Sequence, residues 1–261
     1  MPRIRIGNIH LHYELTGSGP PLVFLSGLGM STPDWEEQVA YFSKTYTVLT
    51  FDPRGHGKSD KPCSPYSIPF LAAEAAVLIR SLSLSPAHIV GLSMGGMSAF
   101  QLAIAAPELI RTMVIVNSGP NFFTATSAQK MELAGRELII RILGMRRMGE
   151  LLSRALFPRP DQYALRSRIA RRWGENDKCA YLATLRGFKG WSVVPYLHEI
   201  EHPTLVISAD EDYTPVAYKE WYVARMPNAK LVVIPDSRHA TPLDQPERFN
   251  RVLDEFLRQN R

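Results

Sequence analysis

The chain of 261 residues is poor in cysteine: Cys63 and Cys179 are its only two. That excludes a disulfide framework, and no knuckle spacing around either suggests a metal, so both are expected to be free thiols in a reducing compartment. Long apolar runs are missing too. None approaches the about 20 residues that cross a bilayer, and the opening MPRIRIGNIHLHYEL is polar and alternating, unlike a signal peptide. A cytoplasmic protein with no membrane span is expected. The histidines show no H-E-x-x-H or similar ligand spacing, so neither a metal nor another cofactor is expected. DPRGHGKS at 52–59 has the glycines and lysine of a phosphate loop but not its G-x-x-x-x-G-K-S/T spacing. Finger spacing, dense Lys/Arg blocks and low-complexity tails are absent as well, so no nucleic-acid partner is expected despite a net charge of +5.

That charge is local. Residues 121–195 hold 14 Lys+Arg against 6 Asp+Glu, whereas the rest of the chain holds 16 against 19. Solvated helix faces are one reading of the basic segment, and weak attraction for an anionic substrate or surface is the other.

What is present is an alternation of short apolar runs with helical patterns. A Gly7-Asn8 turn between IRI and HLHYEL reads as a hairpin over 4–15. LVFLS at 22–26, TVLTF at 47–51, AHIVGL ending at 92, TMVIVN at 112–117, TLVISA at 204–209 and KLVVIP at 230–235 lack a simple period of two. Such strands are buried on both faces, as in a parallel sheet. Helical patterns cover 67–84, 96–106, 217–226 and 246–259, the last opening on Pro246. Strand and helix in alternation predict an α/β fold with a doubly wound, mostly parallel sheet. Residues 121–195 break the rhythm and predict helices near 127–143, 145–156, 161–173 and 177–188. They read as a helical cap inserted in a core formed by 1–120 and 196–261.

Residues 88–97 read HIVGLSMGGM, a G-x-S-x-G placed between a strand and a helix. Such a turn lifts a serine hydroxyl above the sheet edge and points helix amides at the space over it. Serine needs a base, and the base an orienting carboxylate. Among seven histidines, His239 follows the last strand on a loop at the sheet's carboxyl end. His88 starts a strand and reads as structural. The acid belongs on the preceding sheet loop, where ISADEDYTP offers Asp210, Glu211 and Asp212. Spacing alone does not separate them, and strand-end reasoning slightly favours Asp210.

Four pieces resemble the α/β-hydrolase fold superfamily in its capped branch: LVFLSGLGMS at 22–31, FDPRGHGKS at 51–59, GLSMGG at 91–96, and the pair SADEDYTP at 208–215 with SRHATPLDQPERFN at 237–250. The resemblance spans nearly the whole chain. It implies Ser93 as nucleophile and His239 as base. Its Gly-x-x-Asp frame, with Ala209 in the glycine place, puts the acid at Asp212 rather than Asp210. The oxyanion hole would use the amides of Leu28 and Met94, with Ser26-Gly27 where the family commonly has His-Gly. Asp52 and Arg54 would brace a turn. Phe122 and Phe123 fall near the expected mouth of the substrate pocket. Arg238, where many members have glycine, narrows that pocket or points to solvent.

A serine nucleophile excludes the alkyl-enzyme chemistry of relatives that use aspartate. What the resemblance implies is carboxylic ester hydrolysis of a small or medium acyl substrate. Enol-lactonases of the 3-oxoadipate type, carbon–carbon bond hydrolases and cofactor-free perhydrolases are the alternatives, and a receptor-like binder with slow hydrolysis is a further one. Monomer and homodimer stay open.

Overall fold

A computed structural model describes residues 2–122 and 127–260, with the backbone alone for 127–130 and 132. The elements run β1 (Arg3–Ile6), β2 (Ile9–Thr16), β3 (Pro21–Leu25), α1 (Glu36–Phe42), β4 (Thr47–Phe51), α2 (Ile68–Ser81), β5 (Ala87–Leu92), α3 (Met94–Ala105), β6 (Ile110–Val116), α4 (Ser127–Leu156), α5 (Tyr163–Gly174), α6 (Lys178–Gly187), β7 (Thr204–Ala209), α7 (Val216–Val223), β8 (Ala229–Ile234), α8 (Thr241–Asp244) and α9 (Pro246–Gln259). The strands form one sheet in the order β1-β2-β4-β3-β5-β6-β7-β8. The pairs β1–β2 and β2–β4 are antiparallel and all others are parallel. The expected doubly wound α/β fold is therefore borne out.

Each central strand feeds two cores. Val23, Leu25, Ile89, Met113 and Ile115 face the side covered by α2, α3 and Tyr222 of α7. Leu22, Phe24, Val90, Leu92, Val114 and Val116 face the side covered by Trp35, Phe42 and α9. This explains the missing period of two, since both faces are dry. The amphipathic α9 fits that role: Phe249, Leu253, Phe256 and Leu257 form an i, i+4, i+7, i+8 stripe and are all buried. Sequence reading assigned no helix to 32–42. A 3-10 turn at Thr32–Trp35 and then α1 occupy it, started by Pro33 and by the Asp34 carboxylate, which accepts from the Ser31 amide at 3.0 Å.

Order reverses between β3 and β5, which makes their carboxyl ends the topological switch point where such sheets hold ligands. Helices α4–α6 are inserted between β6 and β7 over this end. Gly144 (φ 78°) breaks α4 at the point where two separate helices are expected. Three arginines of this segment help to dock it. Arg172 reaches Asp34 (3.3 Å) and Glu36 (3.4 Å), Arg168 reaches Glu36 (2.7 Å), and Arg159 reaches Asp244 (3.1 Å). The carboxylates of Asp34 and Asp244 are almost wholly covered, so these contacts exceed ordinary surface pairs in consequence.

The expectation of two free thiols is overturned. Cys63 and Cys179 form a disulfide with Cα atoms 5.5 Å apart. The reason is tertiary: α6 packs so closely on the loop 55–67 that a Cβ on Gly187 would collide with the Tyr66 carbonyl. A separation of 116 residues leaves no local pattern to read. Among the described residues no helix is long and apolar enough to cross a membrane.

His56 and His88 are fully buried, and burial pulls each from its ordinary 6.5 down to about 4. His56 donates from Nδ1 to the Arg54 carbonyl at 2.9 Å, and His88 shares a 2.8 Å bond with Thr112. The unfolded chain protonates these imidazoles first as pH falls. Their contribution is thus complete above pH 6.5 and lost between 6.5 and 4, up to about 3 kcal/mol for each. Urea midpoints are expected to drop over this window, and to drop less in His88→Gln. An unaltered slope in that variant would contradict the assignment.

Candidate active site

Only Ser93 separates β5 from α3, and its backbone sits at φ 55°, ψ −114°. A non-glycine residue there carries strain on the order of 1–3 kcal/mol. The neighbours are glycines because nothing larger fits. A Cβ on Gly91 would strike the Gly95 carbonyl, one on Gly95 the Leu25 carbonyl, and one on Gly96 the Ser118 side chain. The Ser93 amide donates to Val116 O at 3.0 Å, and its carbonyl accepts from the Met97 amide (3.0 Å) and Ser118 Oγ (2.7 Å). The residue is part exposed, at the N-terminus of a 12-residue helix whose dipole favours negative charge in front of it.

The loop after β3 lies against it. A Cβ on Gly27 would stand 3.6 Å from Ser93 Cβ. Where the resembled family has His-Gly, Ser26 Oγ accepts from Trp35 Nε1 at 3.0 Å. Met30 N donates to Gly27 O (3.1 Å), and Asn176 of the inserted segment donates to Gly29 O (2.8 Å). These bonds brace the loop without a histidine. Leu28 is half-buried under Ile140, Met145, Met148, Tyr181 and Leu182.

Asp212 and His239 are brought together. His239 Nδ1 donates to Asp212 Oδ1 at 2.5 Å, with the carboxylate fully buried and the imidazole 18% exposed. On the other oxygen, Oδ2 accepts from Thr214 Oγ1 (2.9 Å) and from Lys219 Nζ (2.5 Å). Burial alone would push the Asp212 carboxyl up, but His239 and Lys219 reverse this and hold it well below the usual carboxylate range. The Tyr213 ring stacks on His239 with centroids 4.3 Å apart. Asp210 faces elsewhere: it accepts from the Asp236 and Ser237 amides, both at 3.1 Å, and fastens the loop.

Two consecutive residues after β6 tie these loops to one another. Asn117 Nδ2 donates to the His239 carbonyl (2.8 Å) while its Oδ1 accepts from Ala209 N (2.7 Å), and Ser118 holds the Ser93 carbonyl. Among the described residues Ser93 Oγ makes no hydrogen bond to His239.

Phe122 packs edge-on to Phe188, centroids 5.4 Å apart, and Phe123 lies outside the described residues. Arg238 is expected either to narrow the pocket or to point to solvent, and its side chain is partly exposed. Its guanidinium is held by Glu211 (2.7 Å) and the Ala155 carbonyl (2.7 Å), another tie to the inserted helices. Asp52 and Arg54 brace their turn, Asp52 accepting from the Thr32 and Lys58 amides at 2.7 Å and Arg54 pairing with Glu74. Sequence reading missed Trp35, Asn117, Asn176 and Lys219. Only Lys219 had a signal, since it lies on the stripe Lys219, Tyr222, Val223, Met226 that faces the core.

Comparison with known proteins agrees with this fold. The alpha/beta hydrolase family profile matches residues 22–252. The 3-oxoadipate enol-lactonase 2 of Acinetobacter baylyi is 26% identical, covering 96% of this chain and 94% of its own. The (E)-2-((N-methylformamido)methylene)succinate hydrolase of the same organism is 28% identical, over 94% and 93%. The crystal structure of the enol-lactonase from Burkholderia xenovorans superposes with a TM-score of 0.90 at 25% identity, over 98% of this chain and 99% of that one. The chain belongs to the alpha/beta hydrolase family.

Proposed function

We propose that the protein is a serine hydrolase that cleaves a carboxylic ester of a small or medium-sized acyl substrate through an acyl-enzyme. The observation that carries this reading is the buried Asp212 carboxylate 2.5 Å from His239 Nδ1, together with a strained Ser93 at the switch point. Ser93 Oγ attacks the acyl carbonyl. His239 takes the proton, gives it to the leaving alcohol, and then activates water to release the acid. Asp212 holds the imidazole with Nδ1 protonated, so that Nε2 is the basic nitrogen. The Leu28 and Met94 amides take the developing oxyanion, each worth about 3 kcal/mol in the transition state. The Ser93–His239 bond closes when substrate fills the site, as such bonds often do. The inserted helices pack Met145, Met148 and Leu182 against Leu28, and apolar surroundings over that loop favour an apolar acyl group.

Enol-lactone opening is the second reading, favoured by relatives of that activity among the similar chains. It uses the same groups, with the leaving enolate tethered. A panel of linear aryl esters of graded acyl length, run beside enol-lactones and β-diketones, tests both. Highest kcat/KM on short or medium esters is the expected outcome. Highest kcat/KM on enol-lactones would select the second reading, and turnover of β-diketones alone would reject both.

A further inference from the structure

Asp212 already has two hydrogen-bond donors in His239 and Thr214, yet a third group is brought to it at the cost of burying a charge. Lys219, on α7, is fully buried. Its Nζ has three oxygens for three N–H bonds: Asp212 Oδ2 (2.5 Å), the Thr214 carbonyl (2.5 Å) and Thr214 Oγ1 (2.6 Å). Thr214 Oγ1 passes its own hydrogen to Asp212 Oδ2, so it can only accept from the lysine. Complete pairing of three donors is the signature of an ammonium rather than an amine. Burial pulls Lys219 below its ordinary value, and Asp212 opposes that pull.

No other free charge faces the carboxylate among the described residues. From α7, the Tyr218 and Tyr222 hydroxyls lie behind it, bonded to Asn121 Oδ1 and Ser118 O. Burial raises Tyr218 to about 12 and lifts Tyr222 well above its ordinary value, so both stay neutral in the assay range. From the loop after β8, Arg238 is paired with Glu211, while Asp244 accepts from the Arg238 amide and pairs with Arg159. Asp210 is turned to the Asp236 and Ser237 amides, and Tyr213 stacks on the imidazole from outside.

We propose that Lys219 is a positioning residue for the hydrolysis: its ammonium pins Asp212 Oδ2 so that Oδ1 meets His239, and its charge offsets part of the carboxylate's, which extends turnover to lower pH. The inference rests on the reading of Ser93, Asp212 and His239 as the reacting relay. Its physical content is a competition. An imidazolium is stabilised by the full negative charge of Asp212, and a cation on the second oxygen weakens that stabilisation. Without the cation the Asp212–His239 pair takes up its proton at higher pH, whichever atom carries it. Lys219 does not touch substrate, so KM should not follow the change.

The test is the pH profile of kcat/KM on an aryl ester for Lys219→Gln, Lys219→Met and Lys219→Arg, with Ser93→Ala alongside. The Gln and Met variants should move the acid limb up by on the order of one pH unit, and Arg should restore it. Gln and Met variants that fold but superimpose on the unaltered limb would overturn the proposal and leave Lys219 a structural partner. If neither neutral variant folds in plain buffer, the same limbs are measured in a stabilising osmolyte: a limb moved up supports the proposal and superimposed limbs overturn it. Ser93→Ala separates the two failures. If that variant is inactive and the limbs superimpose, only Lys219 is misread, whereas if it still turns over, the relay reading falls and this proposal with it.

Discussion

Replacing Ser93 by alanine is expected to lower kcat on a short-chain aryl ester by at least about 10³-fold. The hydroxyl is the only group proposed to form the covalent bond, so no neighbour can substitute for it. Residual rate would come from the Leu28 and Met94 amides and from binding. The change leaves the backbone and its glycine neighbours untouched, so the strain at φ 55° persists in the variant. Thermal unfolding should therefore shift by no more than a few degrees. Circular dichroism and kcat measured on the same preparation separate loss of chemistry from loss of fold. Equal rates in the two proteins would remove the catalytic assignment.

The second large effect distinguishes two acids two residues apart. Asp212→Asn should reduce kcat by about 10³- to 10⁴-fold, because an amide facing Nδ1 favours the wrong tautomer and leaves no charge to stabilise the imidazolium. It also leaves the buried Lys219 ammonium without its counter-charge, a loss of about 3 kcal/mol or more in stability. Both losses should appear together. Asp210→Asn should behave differently. That carboxylate accepts from backbone amides of the loop before His239. Less than tenfold in kcat and about 1 kcal/mol in stability are expected. The reverse ranking of the two variants would contradict the geometry.

The contrast between these acids shows where sequence reading stops. Strand ends were legible because central strands buried on both faces are continuous apolar runs, and Ser93 was legible because its turn needs glycines at fixed offsets. Asp210 and Asp212 were not separable by spacing, since both leave the same strand end and only the loop's path decides which reaches His239. The family frame pointed to Asp212, and the fold brings its carboxylate, not that of Asp210, to the imidazole. Contacts made across long separations left no pattern at all: Cys63 with Cys179, Asn176 with Gly29, and the arginines of the inserted helices with Asp34 and Asp244. The charge asymmetry was visible, but its purpose in docking required the fold. Lys219 lies between these cases. A lysine on a core-facing stripe is a legible anomaly, yet its partner is not.

Covalent trapping tests the central claim most directly. The protein is incubated with a fluorophosphonate probe, digested, and the adduct located by mass spectrometry. Reaction at Ser93 needs its oxygen activated by His239, open to solvent and facing amides that donate to a negative oxygen. The account predicts a single phosphonyl adduct on Ser93 that forms much more slowly in Asp212→Asn. No adduct, an adduct on another serine, or equal labelling of the two proteins would contradict it.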